Sequence, residues 1–148
     1  MLPKAGLTAS RGSKVQVMNA TKSRTPRWAA VLALVAIAFG AVTIVVGGKT
    51  LFGDVEARSA AGNIVAFVLW FNFVAGFAYV IAGIGLLLWK RWAAHLSAAI
   101  AVATIAVLIA LGIHIFIGLA FEVRTVGAMI VRSAVWVMIA VLARRALR

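Results

Sequence analysis

The sequence predicts an all-α integral membrane protein, a four-helix bundle running up-down-up-down with both termini cytoplasmic. Three observations lead there. The 148 residues are 65% hydrophobic and 12% charged, with a mean hydropathy of +1.11. A soluble domain carries about 25% charge, so most of this surface must face lipid. The apolar residues fall into four long runs, and the basic residues collect on one side of them.

Residues 1–27 carry Lys4, Arg11, Lys14, Lys22, Arg24 and Arg27, with no acid and no sustained apolar periodicity. They are expected to form a mobile basic cytoplasmic tail that orients the chain and touches anionic headgroups. The net charge of +12 would point to nucleic acid in a soluble protein. No aromatic residue interleaves these charges, so nucleic acid is not an expected partner.

Residues 28–148 are expected to form the bundle, with spans at about 28–46, 64–89, 93–118 and 125–143. Each is long enough to cross a ~30 Å hydrocarbon core at ~1.5 Å per residue. They are too long and too uniformly apolar for transmembrane strands. The first run, about 19 residues, exceeds the ~7–15 of a signal peptide, and Gly47, Gly48 and Lys49 make a poor cleavage site. It is expected to remain as an anchor.

Orientation follows from Lys and Arg. Eleven of the fifteen lie in the tail, at Lys90 and Arg91, or at Arg144, Arg145 and Arg148. Lys49, Arg58 and Arg124 fall on the other side with all three acids, Asp54, Glu56 and Glu122. Positive-inside sorting makes the first side cytoplasmic. Short connections after the second and third spans make consecutive spans antiparallel neighbours. Trp28, Trp89 and Trp92 read as interfacial anchors.

In the second span, Asn72, Gly76, Tyr79 and Gly83 share one face within about 40°. Small residues permit close helix approach in a bilayer, so this face is expected to point inward, with Trp70, Val74, Phe77, Ile81 and Leu88 toward lipid or a partner. Ala103, Ala110, His114 and Gly118 share a comparable face of the third span. In the first span, Ala29 with Ala33 and Ala36 with Gly40 form small pairs, weak signals in so alanine-rich a chain.

The stretch GIHIFIGLAFEVRTVGAMIVR, residues 112–132, concentrates the polar groups. Counting from the span ends at the helical rise puts His114 about 6 Å deep, Arg132 about 10 Å and Asn72 about 12 Å, with Glu122 and Arg124 on the turn above. A charge inside a span costs roughly 2.5–3.5 kcal/mol, so Arg132 needs a partner. The first reading is a latch from Arg132 to Glu122, with a cation–π contact to Trp136. The alternative is an anion or headgroup site using Arg132 and Arg124. His114 reads as a hydrogen-bonded packing residue. His95 is about 28 Å away on the same helix, so the two cannot share a haem, and no ligand set closes a metal site.

The chain has no cysteine, which removes thiol redox chemistry, disulfides and thiolate metal sites. It shows no phosphate loop, HExxH or GxSxG, and no acid within the first or third span for proton-coupled export. The expectation is a small bacterial inner-membrane protein without a cofactor, a non-catalytic accessory or assembly subunit of a larger complex. Its expected partners are the bilayer and other membrane subunits or further copies of itself. The alternatives are a small permease or anion-binding channel, with Asn72, His114, Glu122, Arg124 and Arg132 lining an outward-facing vestibule, and a haem or quinone site between subunits using His114.

The absence of native cysteine makes the topology directly testable. A cysteine at Ser59 should react with an impermeant maleimide in intact cells, and one at Ser13 should not. Labelling at Ser13 alone would reverse the orientation.

Overall fold

Pro26 opens the first helix: its ring holds φ at −58°, and its carbonyl accepts from the amides of Ala29 and Ala30 at 2.9 and 3.1 Å. The computed structural model describes residues 26–147, so the basic tail expected over 1–27 lies outside the described residues apart from Pro26 and Arg27. The described elements are α1 (Arg27–Phe52), α2 (Val55–Ala60), α3 (Ala66–Leu87), α4 (Arg91–Phe116) and α5 (Val123–Ala146). All are helical, and α1, α3, α4 and α5 are long and apolar enough to cross a membrane. The protein is a multi-pass membrane protein with a helical bundle.

Helix α1 runs six residues past the expected end at 46. Gly47 and Gly48 lower its intrinsic helicity, but both lie under Phe73, and that contact outweighs propensity. The short α2 is tied back by Arg58, whose guanidinium donates to the Leu51 carbonyl at 2.9 Å.

The buried positions of α1 are Ala29, Ala33, Ala36, Gly40, Thr43 and Gly47, spaced alternately four and three apart. All are small, so the two weak pairs seen in the sequence are parts of one continuous stripe. The stripe meets the expected face of α3. A Cβ on Gly76 would stand 2.7 Å from Ile44 Cγ1 and 3.1 Å from the Gly40 carbonyl oxygen, and one on Gly83 would stand 2.9 Å from the Ala33 carbonyl oxygen. The contacts pair rising numbers in α1 with falling numbers in α3, so the helices are antiparallel. In a bilayer such close backbone approach supplies the dispersion contact that hydrophobic burial does not.

At the α3–α4 turn, Lys90 donates its amide to Gly85 at 2.9 Å and Trp89 donates to Leu86 at 3.0 Å, an ending that needs a left-handed residue. Trp89 fills that place at φ +53°, an uncommon conformation for a residue with a side chain. Its ring meets Trp28 edge-on at 6.3 Å, which fastens the turn to the start of α1. Gly118 plays the same backbone role after α4 at φ +80°.

The face of α4 differs from the expectation. Ala103, Ala110 and Gly118 are exposed, and the helix buries Ala93, Ala94, Ser97, Ala98, Ala101, Thr104 and Leu111 instead. Ser97 and Thr104 return their hydroxyls to the Ala93 and Ile100 carbonyls at 2.8 and 2.7 Å, so they enter the core without orphaned protons.

Helix α1 lies along α3, α3 against α4, and α4 against α5. Contact between α1 and α5 is sparser, and side chains such as Arg132 to Thr43 and Phe39 bridge them. One seam of the bundle is therefore open.

The α1–α3 contact sets the first stability test. Gly76→Leu should cost about 1–3 kcal/mol through overpacking, whereas Val74→Leu, at a position 61% exposed, should be tolerated. Thermal unfolding in detergent measures both, and equal effects would refute the face assignment.

Candidate functional site

The open seam brings Thr43, Asn72, Arg124, Thr125 and Arg132 together. Its cavity, about 320 Å³, is walled by Phe39, Val42, Thr43 and Val46 of α1 and by Arg124, Thr125, Ala128 and Arg132 of α5, with Leu69 and Asn72 of α3 as its floor. A second lobe of about 160 Å³ shares Leu69, Asn72 and Thr125 and reaches Thr50 and Ile64. Asn72 sits where the two lobes join. The lining runs eight residues along α5, about 12 Å at the helical rise.

Arg132 points into this space from α5 yet is 8% exposed. Its Nη2 donates to Thr43 Oγ1 at a long 3.4 Å, its Nη1 reaches Met129 Sδ at 3.6 Å, and its guanidinium carbon lies 5.3 Å from the Phe39 ring centre. The Thr43 hydroxyl gives its own proton to the Phe39 carbonyl at 2.7 Å, leaving its oxygen free to accept from the guanidinium. Arg132 Nε is buried without a hydrogen-bond partner, and so is Asn72 Oδ1.

Glu122 is not the counter-ion. As the residue preceding α5 it turns its carboxylate toward the α2–α3 connection, where Oε1 accepts the Asn63 amide at 2.9 Å. Gly62, at φ +72°, makes room: a Cβ there would strike the Glu122 carboxylate. The expected latch to Arg132 is thus replaced by a clasp between loops. The aromatic partner of Arg132 is also corrected, from Trp136 to Phe39. Trp136 is fully buried and packs on Tyr79 with ring centres 4.6 Å apart.

Of the five residues expected around a vestibule, the structure brings Asn72, Arg124 and Arg132 together and places His114 and Glu122 elsewhere. His114 Nε2 donates to the Ala120 carbonyl at 3.1 Å, and its ring meets Phe67 edge-on at 5.9 Å, so it fastens the turn after α4. Thr43, Thr50 and Phe39 complete the cavity and were not singled out from sequence. Their signal was faint, two hydroxyls on the small stripe side of α1 and one ring among many.

The lining thus carries two guanidinium groups and no carboxylate, beside Phe39, Val42, Val46 and Leu69. Toward the opposite end the seam closes. Tyr79 stacks on Phe39 at 6.1 Å and on Trp136, and beyond them the lining is Leu32, Leu86, Ile139, Ala143 and the Trp28–Trp89 pair. The polar space is a groove along the α1–α5 seam that narrows toward the Trp28–Trp89 end. Comparison with protein-family models, curated proteins and solved structures gives no match.

The geometry makes Arg132 and Glu122 energetically independent. Their double-mutant cycle should give a coupling below about 0.5 kcal/mol. Glu122→Ala alone should lower stability by about 1 kcal/mol through the lost loop bond. Arg132→Met should leave the melting temperature unchanged or raise it, because it removes a buried charge that has no ionic partner. A coupling above about 1 kcal/mol would restore the latch.

Proposed function

We propose that this membrane protein is a non-catalytic binding protein for an amphipathic anion, held in the seam between α1 and α5. The observation that carries the reading is Arg132: a buried guanidinium without a carboxylate partner, at the wall of a cavity that Arg124 also lines. An intramembrane charge costs roughly 2.5–3.5 kcal/mol and marks a functional position unless a structural partner explains it. Here the expected partner, Glu122, is engaged by Asn63.

The chemistry of the walls defines the ligand class. An anionic group pairs with a guanidinium, and the apolar portion lies against Phe39, Val42, Val46 and Leu69. Closure of the far end by Tyr79 and Trp136 favours binding over open conduction. With the sidedness argued from charge, the Arg124 end of the groove faces outward.

A second reading keeps the accessory or assembly subunit of a larger membrane complex. It draws on the linked rings of Phe52, Trp70, Phe73 and Phe77, whose successive centres lie 5.4–6.3 Å apart and of which Phe52 is 68% exposed. It requires a stoichiometric partner in mild detergent. The binding reading requires none.

Laurate, with lauryl alcohol as its uncharged control, tests the seam. At a hundredfold excess over its dissociation constant a ligand stabilises by about 2.7 kcal/mol, so laurate should raise the melting temperature of the purified chain by several degrees. Lauryl alcohol should have little effect. Arg132→Met should abolish the laurate response and Arg124→Gln should weaken it. Equal stabilisation of wild type and Arg132→Met would refute the site.

A further inference from the structure

A second basic cavity lies at the other end of the molecule. It measures about 390 Å³ and is formed where the first turn of α4 meets the last turn of α5, lined by Arg91, Ala94, His95, Arg144 and Leu147. Arg91, His95 and Arg144 are exposed, while Ala94 and Leu147 are buried and make an apolar floor.

The charge here is one-signed. All three acids of the chain, Asp54, Glu56 and Glu122, lie beyond the opposite ends of these helices. The first turn of α4 carries no acid, and Lys90 before it supplies no side-chain cap, so amides at that terminus add donors to the same side. The carbonyls ending α5 bring an opposing dipole, and the two guanidinium groups outweigh it.

The pocket also has a defined depth. Trp89, in the α3–α4 turn, and Trp92, between the pocket residues Arg91 and Ala94, lie beside it, and Trp92 packs across Gly85. Tryptophans at helix ends mark the headgroup level of a bilayer. A basic pocket between two spans at that level, floored by Ala94 and Leu147, suits the phosphate of a lipid headgroup or a free phosphate.

We propose that the α4–α5 pocket is a site for a phosphate-type anion, paired with the Arg91 and Arg144 guanidinium groups and accepting a hydrogen bond from His95. The phosphate belongs to an anionic membrane lipid or to a soluble phosphate. This proposal is independent of the seam.

The test uses the full chain in detergent, titrated with phosphatidylglycerol, with phosphatidylcholine of equal chain length, and with inorganic phosphate at constant ionic strength. The exposed side chains of the pocket can be changed without disturbing the core. The Arg91→Gln, Arg144→Gln double variant should bind the responding anion roughly 10- to 30-fold more weakly. The Lys90→Gln, Arg145→Gln double variant removes equal charge just outside the pocket and should bind as wild type does. The loss in the Arg91→Gln, Arg144→Gln variant should persist in an Arg132→Met background, where the seam charge is gone, which separates this site from the seam. The six basic residues of 1–27 are common to all variants, so generic attraction does not distinguish them. A response to phosphatidylglycerol but not to inorganic phosphate identifies a lipid headgroup, and a response to inorganic phosphate identifies a soluble anion. Equal losses in the two double variants, or no response to either anion, would overturn the proposal.

Discussion

The approach of α1 to α3 is set by Gly40 and Gly76, each of which has a backbone oxygen or branched side chain standing where its own Cβ would be. The same run of small residues continues along α1 at Ala33, Ala36 and Gly47 and along α3 at Gly83. In lipid the gain comes from dispersion between surfaces that touch over their whole length, and a glycine-lined groove gives the longest such contact. Nesting α1 against α3 has a geometric consequence. Helix α5 packs mainly on α4, and across the seam toward α1 the contact is made by side chains such as Arg132.

What crosses it is unequal along its length. At one end Trp136, the largest fully buried side chain, fills the gap against Tyr79. Further along, Arg132 spans to Thr43 and Phe39 but leaves open space beside it. A large aromatic ring seals, whereas a forked cation on a flexible stem bridges without filling. The passage from sealed to hollow along one helix occurs between Trp136 and Arg132, four residues and about one turn apart.

The spans and the inward face of α3 were legible in the sequence because both rest on strong contrasts: apolar runs against charged turns, and glycine against tryptophan and phenylalanine. The inward face of α4 was not. Its helix is so rich in alanine that Ala103 and Ala110 look as fit for a core as Ala94 and Ala101, and apolar periodicity cannot rank them. Arg132 and Asn72 were legible as site residues because polarity inside a span is rare. Their surroundings were not, because these depend on which helices stay apart. The pairing with Glu122 failed for a reason of length. Ten residues of helix separate the two, about 15 Å, and a nearer backbone amide at Asn63 takes the carboxylate.

Arg132 joins the energetics of folding to the proposed binding. A cation–π contact is worth about 0.5–2 kcal/mol, and a hydrogen bond to Thr43 at 3.4 Å adds little. Against the insertion cost of an intramembrane charge these contacts offset only part. They hold the guanidinium in place without neutralising it, and Nε remains without a partner. An anion entering the seam would meet a cation already desolvated by the protein and positioned by Phe39. The desolvation cost of the arginine has then been met in folding, and the ligand carries only its own. The same missing counter-ion that lowers the stability of the empty bundle would thereby favour the proposed anion.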